Sequence, residues 1–203
     1  MNDAQDSAPA GLVNIANALT VVRILLVPLF VFCLVHGGTG WRLGALAAFA
    51  GASVTDFLDG KLARKRGLVT DFGKIADPIA DKALTGAALI TLSALGELPA
   101  WVTALILARE VGITALRFAV IRRGVIAASQ GGKLKTLLQI LAICLYVLPA
   151  SFGLPDLAKE IVMAAALVVT LVTGADYVVR AVRLSRASRD KADKAEQDGW
   201  QKA

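Results

Sequence analysis

Four aspartates occur within one short stretch of a largely apolar chain: Asp56, Asp59, Asp77 and Asp81. The first two are three residues apart and the last two are four apart. On helices, both spacings place side chains on a single face. Near the centre of a bilayer a charged side chain costs roughly 2.5–3.5 kcal/mol, so four unpaired carboxylates would cost about 10 kcal/mol. The stretch therefore predicts bound divalent cations that compensate this charge.

The ligand chemistry around these aspartates indicates a phosphate-and-metal site. Carboxylate oxygens suit Mg²⁺, Mn²⁺ or Ca²⁺, and two carboxylate pairs predict one or two ions of the kind that stabilise phosphate during in-line displacement. Gly60 and Gly73 have no side chain, so a phosphate or a nucleotide can approach the backbone. Arg64, four residues after Gly60, supplies a guanidinium that suits phosphate, and Thr70 supplies a hydroxyl.

Each of these residues also has an ordinary interpretation. A single aspartate at a helix end is usually a cap, and a single basic residue in a linker usually sets topology. The whole constellation at fixed spacing favours a functional site. Pro78 leaves the local structure open, because it either kinks a helix that already includes Gly73 or occupies the first position of a helix capped by Asp77.

The composition predicts a polytopic membrane protein of the all-α class. Of 203 residues, 56% are hydrophobic, against about 45–50% in a soluble domain. Helices of about 20 apolar residues cross a bilayer, and turn residues separate six such segments. The six predicted spans are 19–35, 41–57, 78–95, 99–120, 134–148 and 157–182, with Asn17 or Thr20 capping the first and with the second continuing as a polar segment towards Lys65. We expect one membrane domain over 1–184, followed by a charged tail over 185–203 that is a frayed helix or disordered.

Loop charges predict the orientation. The basic residues concentrate in the linkers after the second and fourth spans and in the tail, whereas the alternate loops hold only Arg42 and Lys159. The positive-inside rule then places both termini and the four aspartates on the cytoplasmic side. The net charge of +6 suits an anionic membrane surface, and we expect no nucleic-acid partner because aromatic and basic residues are not interleaved.

The acidic stretch resembles a family signature, D-x2-D-G-x2-A-R-x8-G-x3-D-x3-D. All eight fixed positions match within 26 residues: Asp56, Asp59, Gly60, Ala63, Arg64, Gly73, Asp77 and Asp81. This signature is that of the CDP-alcohol phosphatidyltransferase family, and the six-span layout resembles the family over nearly the whole chain. The resemblance implies a six-helix membrane enzyme, usually homodimeric. It also implies transfer of a phosphatidyl group from a CDP-linked lipid to an alcohol, with release of CMP.

The resemblance also implies roles for individual residues. Carried over by position, Asp56, Asp59 and Asp77 are metal ligands, and Asp81 is a shared ligand and the general base. The residues that hold the CDP moiety are Gly60, Arg64, Thr70 and Gly73, joined less specifically by Asn17 and Thr20. The implied cofactors are Mg²⁺ or Mn²⁺, as two ions.

Three further stretches resemble the branch of the family that uses glycerol 3-phosphate: 14–20, 106–110 and 132–136. A phosphorylated acceptor needs cations beyond those at the aspartates. The candidates are Arg109, Arg117, Lys133 and Lys135. An arginine inside a span is costly without a partner or an anionic ligand, so Arg109 has an alternative role in an internal salt bridge with Glu110 or an aspartate.

We therefore expect an enzyme that transfers the phosphatidyl group of CDP-diacylglycerol to glycerol 3-phosphate, giving phosphatidylglycerol phosphate and CMP. The expected location is a bacterial cell membrane, with a multi-pass chain and a cytoplasmic active site. Three alternatives remain open. They are the same chemistry with another acceptor (phosphatidylglycerol or inositol phosphate), a cation transporter that uses the aspartates, and a non-catalytic homologue.

Overall fold

The computed structural model describes residues 15–66, 71–120 and 130–200, and side chains over most of 19–55, 82–118 and 131–184. These residues form helices and turns and contain no strand, which confirms the all-α class. The six α-helices in the described ranges are α1 (Ile15–His36), α2 (Gly38–Arg66), α3 (Asp71–Ala94), α4 (Ala100–Val120), α5 (Gln130–Val147) and α6 (Asp156–Trp200). A single turn of 3-10 helix, Ala150–Phe152, lies between α5 and α6.

The predicted breaks coincide with observed helix ends. Gly37 and Gly96 have φ values of 67° and 74°, the left-handed conformation that commonly ends a helix. After α3, the Glu97 amide donates to the Leu92 carbonyl at 3.0 Å, which satisfies one of the last carbonyls of the helix. These turns are therefore specified locally by glycine.

Several predicted span ends differ from the observed helix ends. The first helix begins at Ile15, so Asn17 and Thr20 lie inside α1 rather than at its N-cap, in keeping with the good helix formers around them. The third helix begins at Asp71, so it includes Gly73 and places Pro78 in its interior, which is the first of the two alternatives that the sequence left open.

The last helix continues to Trp200, past the span end predicted near 182, so the tail is helical from 185 to 200, as in the first of its two predicted alternatives. The segment from 185 to 200 is rich in alanine and in charged residues of good helix propensity, which explains the extension. The division into a domain over 1–184 and a tail stays a prediction.

The chain divides into two compact units. The first contains α1, α2, α3 and the end of α5, and its buried residues are mostly apolar, with Arg23 and Thr91 as buried polar exceptions. Phe30 and Phe49 are fully buried with ring centroids 5.6 Å apart. At the start of α2, Arg42 donates to both Glu97 carboxylate oxygens at 2.7 and 2.6 Å, and also to the carbonyls of Tyr146 and Val147. This arginine therefore ties the α3–α4 turn to the end of α5.

The second unit contains α4, most of α5, and α6. Ile106 of α4 and Ala166 of α6 are fully buried where the two helices pack against each other. Its interior is not wholly apolar, since Lys135, Gln139 and Thr170 are also buried. This unit therefore has to satisfy several polar groups internally.

One described helical segment, Asp156–Leu184 of α6, is long and apolar enough to cross a membrane, with a mean hydropathy of 2.0. Two shorter apolar segments are Val21–His36 and Lys82–Ala94. Exposed apolar side chains are numerous on this segment and elsewhere in the described helices, for example Leu25, Phe118 and Val172. Such a surface is typical of helices that face lipid.

Candidate active site

The acidic stretch occupies two helices of the first unit. Asp56 and Asp59 belong to α2, whereas Asp77 and Asp81 belong to α3. The helices α2 and α3 contact each other. The predicted ligand set is thus divided between two neighbouring helices, and each pair keeps the helical spacing that places both carboxylates on one face.

Several predicted site residues fall outside the described part of the chain. Thr70 lies there entirely. For the four aspartates and the other predicted CDP-lipid contacts the helix is described but the side chain is not: Asn17, Thr20, Gly60, Arg64 and Gly73. Their roles stay predictions.

The donor set of the acidic stretch fits a hard divalent cation. All four candidate donors are carboxylates, which supply the oxygen ligands that Mg²⁺ and Mn²⁺ prefer. His36, the only histidine of the chain, lies at the other end of the first unit's helices, at the last position of α1. The stretch thus offers oxygen ligands without a competing imidazole.

A second group of charged residues lies in the second unit, and we call it the Glu110 cluster: Arg109, Glu110 and Lys135. Arg109 Nη1 lies 3.0 Å from Glu110 Oε1, and Lys135 Nζ lies 2.5 Å from the same oxygen. Their side chains are 14%, 18% and 10% exposed, respectively, so the three charges are largely removed from solvent. One carboxylate therefore holds two cations together.

The charge of the Glu110 cluster is unbalanced. Among the residues whose side chains are described, two cations share one anion, which leaves one excess positive charge in a mostly buried position. A buried charge without compensation is costly, so such a position favours binding of an anion. The alternative in which Arg109 pairs with Glu110 is therefore confirmed, but the pairing does not neutralise the cluster.

Arg109 is also held by α6. Its Nε donates to the Thr170 carbonyl at 3.0 Å, and its Nη2 donates to Thr173 Oγ1 at 3.1 Å. The Thr173 hydroxyl donates to the Val169 carbonyl at 2.7 Å, so it acts as an acceptor towards Arg109. Within the described residues, three of the five guanidinium N–H groups are used, on Thr170, Thr173 and Glu110.

A buried polar contact joins α5 to α6 next to the cluster. Gln139 Nε2 donates to Thr170 Oγ1 at 3.2 Å, and both residues are buried. Gln139 lies one helical turn after Lys135 on α5. The same region of α6 thus receives polar side chains from both α4 and α5.

The other two predicted acceptor contacts are placed differently. Arg117 lies near the end of α4 and Lys133 lies in the first turn of α5, and both side chains are exposed. Among the described hydrogen bonds and ion pairs, neither joins the Glu110 cluster. The structure therefore brings together only Arg109 and Lys135 of the four candidates.

Sequence reasoning missed the contribution of α6. Thr170 and Thr173 are three residues apart and Gly174 follows, a pattern that the sequence analysis did not relate to the charged residues of α4. An available signal was the spacing, because residues three and four apart on a helix share a face. The partner helix was not evident, since it is about 60 residues further along the chain.

The fold and these groups define an all-helical protein with an acidic pair on each of two neighbouring helices. The family model for CDP-alcohol phosphatidyltransferase matches residues 13–172, and the chain belongs to that family. Enzymes of this family are phosphatidyltransferases that use divalent metal ions.

Several bacterial proteins are similar over most of their length. A protein of Mycobacterium tuberculosis named probable phosphatidylglycerophosphate synthase is 55% identical over 182 residues, which cover 88% of this chain and 87% of that protein. A Bacillus subtilis protein named CDP-diacylglycerol–glycerol-3-phosphate 3-phosphatidyltransferase is 39% identical over 183 residues, which cover 81% of this chain and 93% of that protein. A Rickettsia typhi protein with the same name is 38% identical over 169 residues, covering 81% and 94% respectively.

Proposed function

We propose that this chain transfers the phosphatidyl group of CDP-diacylglycerol to glycerol 3-phosphate, giving phosphatidylglycerol phosphate and CMP. The observation that carries the proposal is the 55% identity, over nearly the whole chain, to a protein named for this product. Two more distant relatives are named for the same acceptor. The intact family signature, from Asp56 to Asp81, supports catalysis rather than binding alone.

The proposed reaction is one displacement at phosphorus. A hydroxyl oxygen of glycerol 3-phosphate forms a bond to the phosphorus that carries diacylglycerol, and the bond from that phosphorus to the CMP oxygen breaks. The proton of the attacking hydroxyl passes to Asp81, and CMP leaves with the electron pair. Asp81 thus acts as general base, a role that needs it within hydrogen-bond reach of the hydroxyl.

The remaining residues of the acidic stretch hold the donor substrate. Asp56, Asp59, Asp77 and Asp81 would hold two divalent ions, Mg²⁺ or Mn²⁺, which when bound neutralise the pyrophosphate charge. Arg64 donates hydrogen bonds to the same phosphates. The residues that contact the CDP moiety are Asn17, Thr20, Gly60, Thr70 and Gly73.

The Glu110 cluster is proposed to bind the phosphate of the acceptor. Its excess positive charge and its largely buried side chains favour a ligand of negative charge. Among the described residues Arg109 retains two guanidinium N–H groups, which suit a phosphate oxygen pair. Arg117 and Lys133 are exposed and would act as outer cations that attract the anion.

The proposed setting is a bacterial cell membrane. We propose six membrane spans formed by α1 to α6, cytoplasmic termini, a homodimer and an active site that faces the cytoplasm. The support is the loop charge pattern, the apolar exposed surface and the spanning segment in α6. A reporter protein that is active only in the cytoplasm should be active when it is fused after α6. Activity of a reporter that works only in the periplasm, fused at the same position, would contradict this orientation.

The experiment that tests the reaction measures CMP release. Purified protein with CDP-diacylglycerol and Mg²⁺ or Mn²⁺ is supplied in turn with glycerol 3-phosphate, phosphatidylglycerol, inositol phosphate and no acceptor. We expect CMP only with glycerol 3-phosphate. Release with another acceptor alone would reassign the substrate, and no release with any acceptor would favour the transporter or the non-catalytic homologue.

A further inference from the structure

Gly174 lies where the Arg109 side chain crosses α6. A methyl group on Gly174 would lie 3.0 Å from Nε and 3.1 Å from Cγ of Arg109, and 3.6 Å from Cδ. The two shorter separations are too close for an ordinary carbon contact. The atoms concerned are in the middle of the arginine, not at its mobile end. A side chain at 174 would therefore push the middle of Arg109 a few tenths of an ångström from its observed position.

Two residues near Gly174 accept hydrogen bonds from the guanidinium of Arg109. Thr170 supplies a backbone carbonyl to Nε, and Thr173 supplies a hydroxyl oxygen to Nη2. That hydroxyl oxygen acts as an acceptor towards Arg109, because its proton is directed at the backbone carbonyls of Val169 and Thr170. Contacts with Thr170, Thr173 and Gly174, on one face of α6, thus set the plane and direction of the guanidinium.

From these contacts we propose that Gly174 and Thr173 are positioning residues for Arg109, which they orient for binding the phosphate of the acceptor. The inference rests on the proposed function, since it takes Arg109 to be a ligand of the acceptor phosphate. Neither residue needs to touch the substrate. A guanidinium binds phosphate through paired, directional N–H groups, so a rotated Arg109 keeps its charge but loses that match.

The surroundings indicate that a small side chain at 174 would move Arg109 without unfolding the protein. An open groove of about 360 Å³ lies between α4 and α6 and is bordered by Arg109, Gly112 and Gly174. The displaced arginine can therefore enter existing space. Gly112 offers a matched control, because a methyl group there would meet no atom within 4 Å.

The experiment compares Gly174→Ala with Gly112→Ala in purified enzyme, with CDP-diacylglycerol and glycerol 3-phosphate varied separately. We expect the KM for glycerol 3-phosphate to rise about tenfold in Gly174→Ala, as for the loss of a charged hydrogen bond, with the KM for CDP-diacylglycerol within about twofold of wild type. Gly112→Ala should match wild type for both substrates. An unchanged acceptor KM in Gly174→Ala, or equal rises for both substrates, would overturn the inference.

Thr173 provides a second test that adds no bulk. Thr173→Val removes the oxygen that accepts from Arg109, whereas Thr173→Ser keeps it. The valine variant should show the selective rise in acceptor KM and the serine variant should not. Equal acceptor KM values in the two variants would overturn the role of Thr173 even if Gly174→Ala failed to fold.

Arg109→Lys separates this inference from the proposed function. If Arg109 binds the acceptor phosphate, Arg109→Lys raises the acceptor KM, and adding Gly174→Ala to it has little further effect. An unchanged acceptor KM in Arg109→Lys alone would contradict the proposed phosphate site itself. A rise in Arg109→Lys without a rise in Gly174→Ala would contradict only the positioning role.

Discussion

The acidic stretch and the Glu110 cluster are specified in opposite ways. The stretch is a local pattern, in which eight fixed positions within 26 residues carry the proposed chemistry. The Glu110 cluster is assembled from residues far apart in the chain, with Lys135 contacting Glu110 from another helix and Thr170 contacting Arg109 from a third. The reacting groups of an enzyme family can thus be a compact motif, whereas the groups proposed to select the acceptor depend on packing.

The two regions also handle charge differently. The acidic stretch gathers four like charges and is proposed to bind cations from outside the chain. The Glu110 cluster supplies its own counter-charge and still retains one excess positive charge. Substitutions in the first region should therefore affect turnover, and substitutions in the second should affect stability and acceptor binding.

Asp81→Asn should give the largest effect. Loss of the general base should lower kcat by about 10²–10⁴-fold while binding of CDP-diacylglycerol is largely kept, because asparagine has nearly the same shape. CMP release and binding of the nucleotide lipid are measured on the same preparation. Asp156→Asn, at the exposed start of α6, is the matched control. Turnover at the wild-type level in Asp81→Asn would remove Asp81 as the base.

Glu110→Ala should mainly destabilise the protein. It leaves two largely buried cations without their shared carboxylate, a change that typically costs about 3–5 kcal/mol. Thermal unfolding in detergent is the measurement, with the exposed Glu160→Ala as control. An unfolding midpoint equal to that of the control would show that the ion pairs contribute little.

Lys135→Ala should weaken binding of the acceptor substrate more than binding of the donor lipid. Loss of one cation should raise the KM for glycerol 3-phosphate about tenfold and change the KM for CDP-diacylglycerol much less. Lys159→Ala, at the other end of the second unit's helices and paired with Asp156, should leave both values unchanged. A larger rise for CDP-diacylglycerol would move the acceptor pocket away from the Glu110 cluster.

Arg42→Ala should give the smallest effect on catalysis. Arg42 lies on the same helix as Asp56, but at a rise of 1.5 Å per residue it is about 20 Å away along the axis. Its hydrogen bonds to Glu97, Tyr146 and Val147 indicate a loss of about 1–3 kcal/mol of stability. Activity well below the unfolding temperature should stay near wild type. A fall in kcat at that temperature would mean that the hydrogen bonds of Arg42 also affect the position of the acidic stretch.

The sequence predicted the helical class and the turns at Gly37 and Gly96 because apolar runs and glycine act locally. It misplaced the start of α1 and left open the start of α3 and whether the tail is helical; good helix formers extend α1 and α6 beyond their apolar segments. Hydropathy marks where a helix can face lipid, whereas propensity and packing decide where it begins and ends.

The candidate site was predictable to different extents. The signature residues could be read directly, and Arg109 and Lys135 were recognised as cations in need of a partner. Their shared contact with Glu110 was only one of several options, and Thr173 and Gly174 were not connected to them. Such contacts join residues 25 to 64 positions apart, and periodicity on a single helix carries no information about its neighbours.

The central claim is that this chain joins glycerol 3-phosphate to the phosphatidyl group of CDP-diacylglycerol. The most direct test supplies the purified protein with isotopically labelled glycerol 3-phosphate and follows the label into the lipid fraction, with and without CDP-diacylglycerol. We expect a labelled lipid that forms only when CDP-diacylglycerol is present, in equal amount to the CMP released, and that is absent in Asp81→Asn. CMP release without label in the lipid fraction would contradict the account.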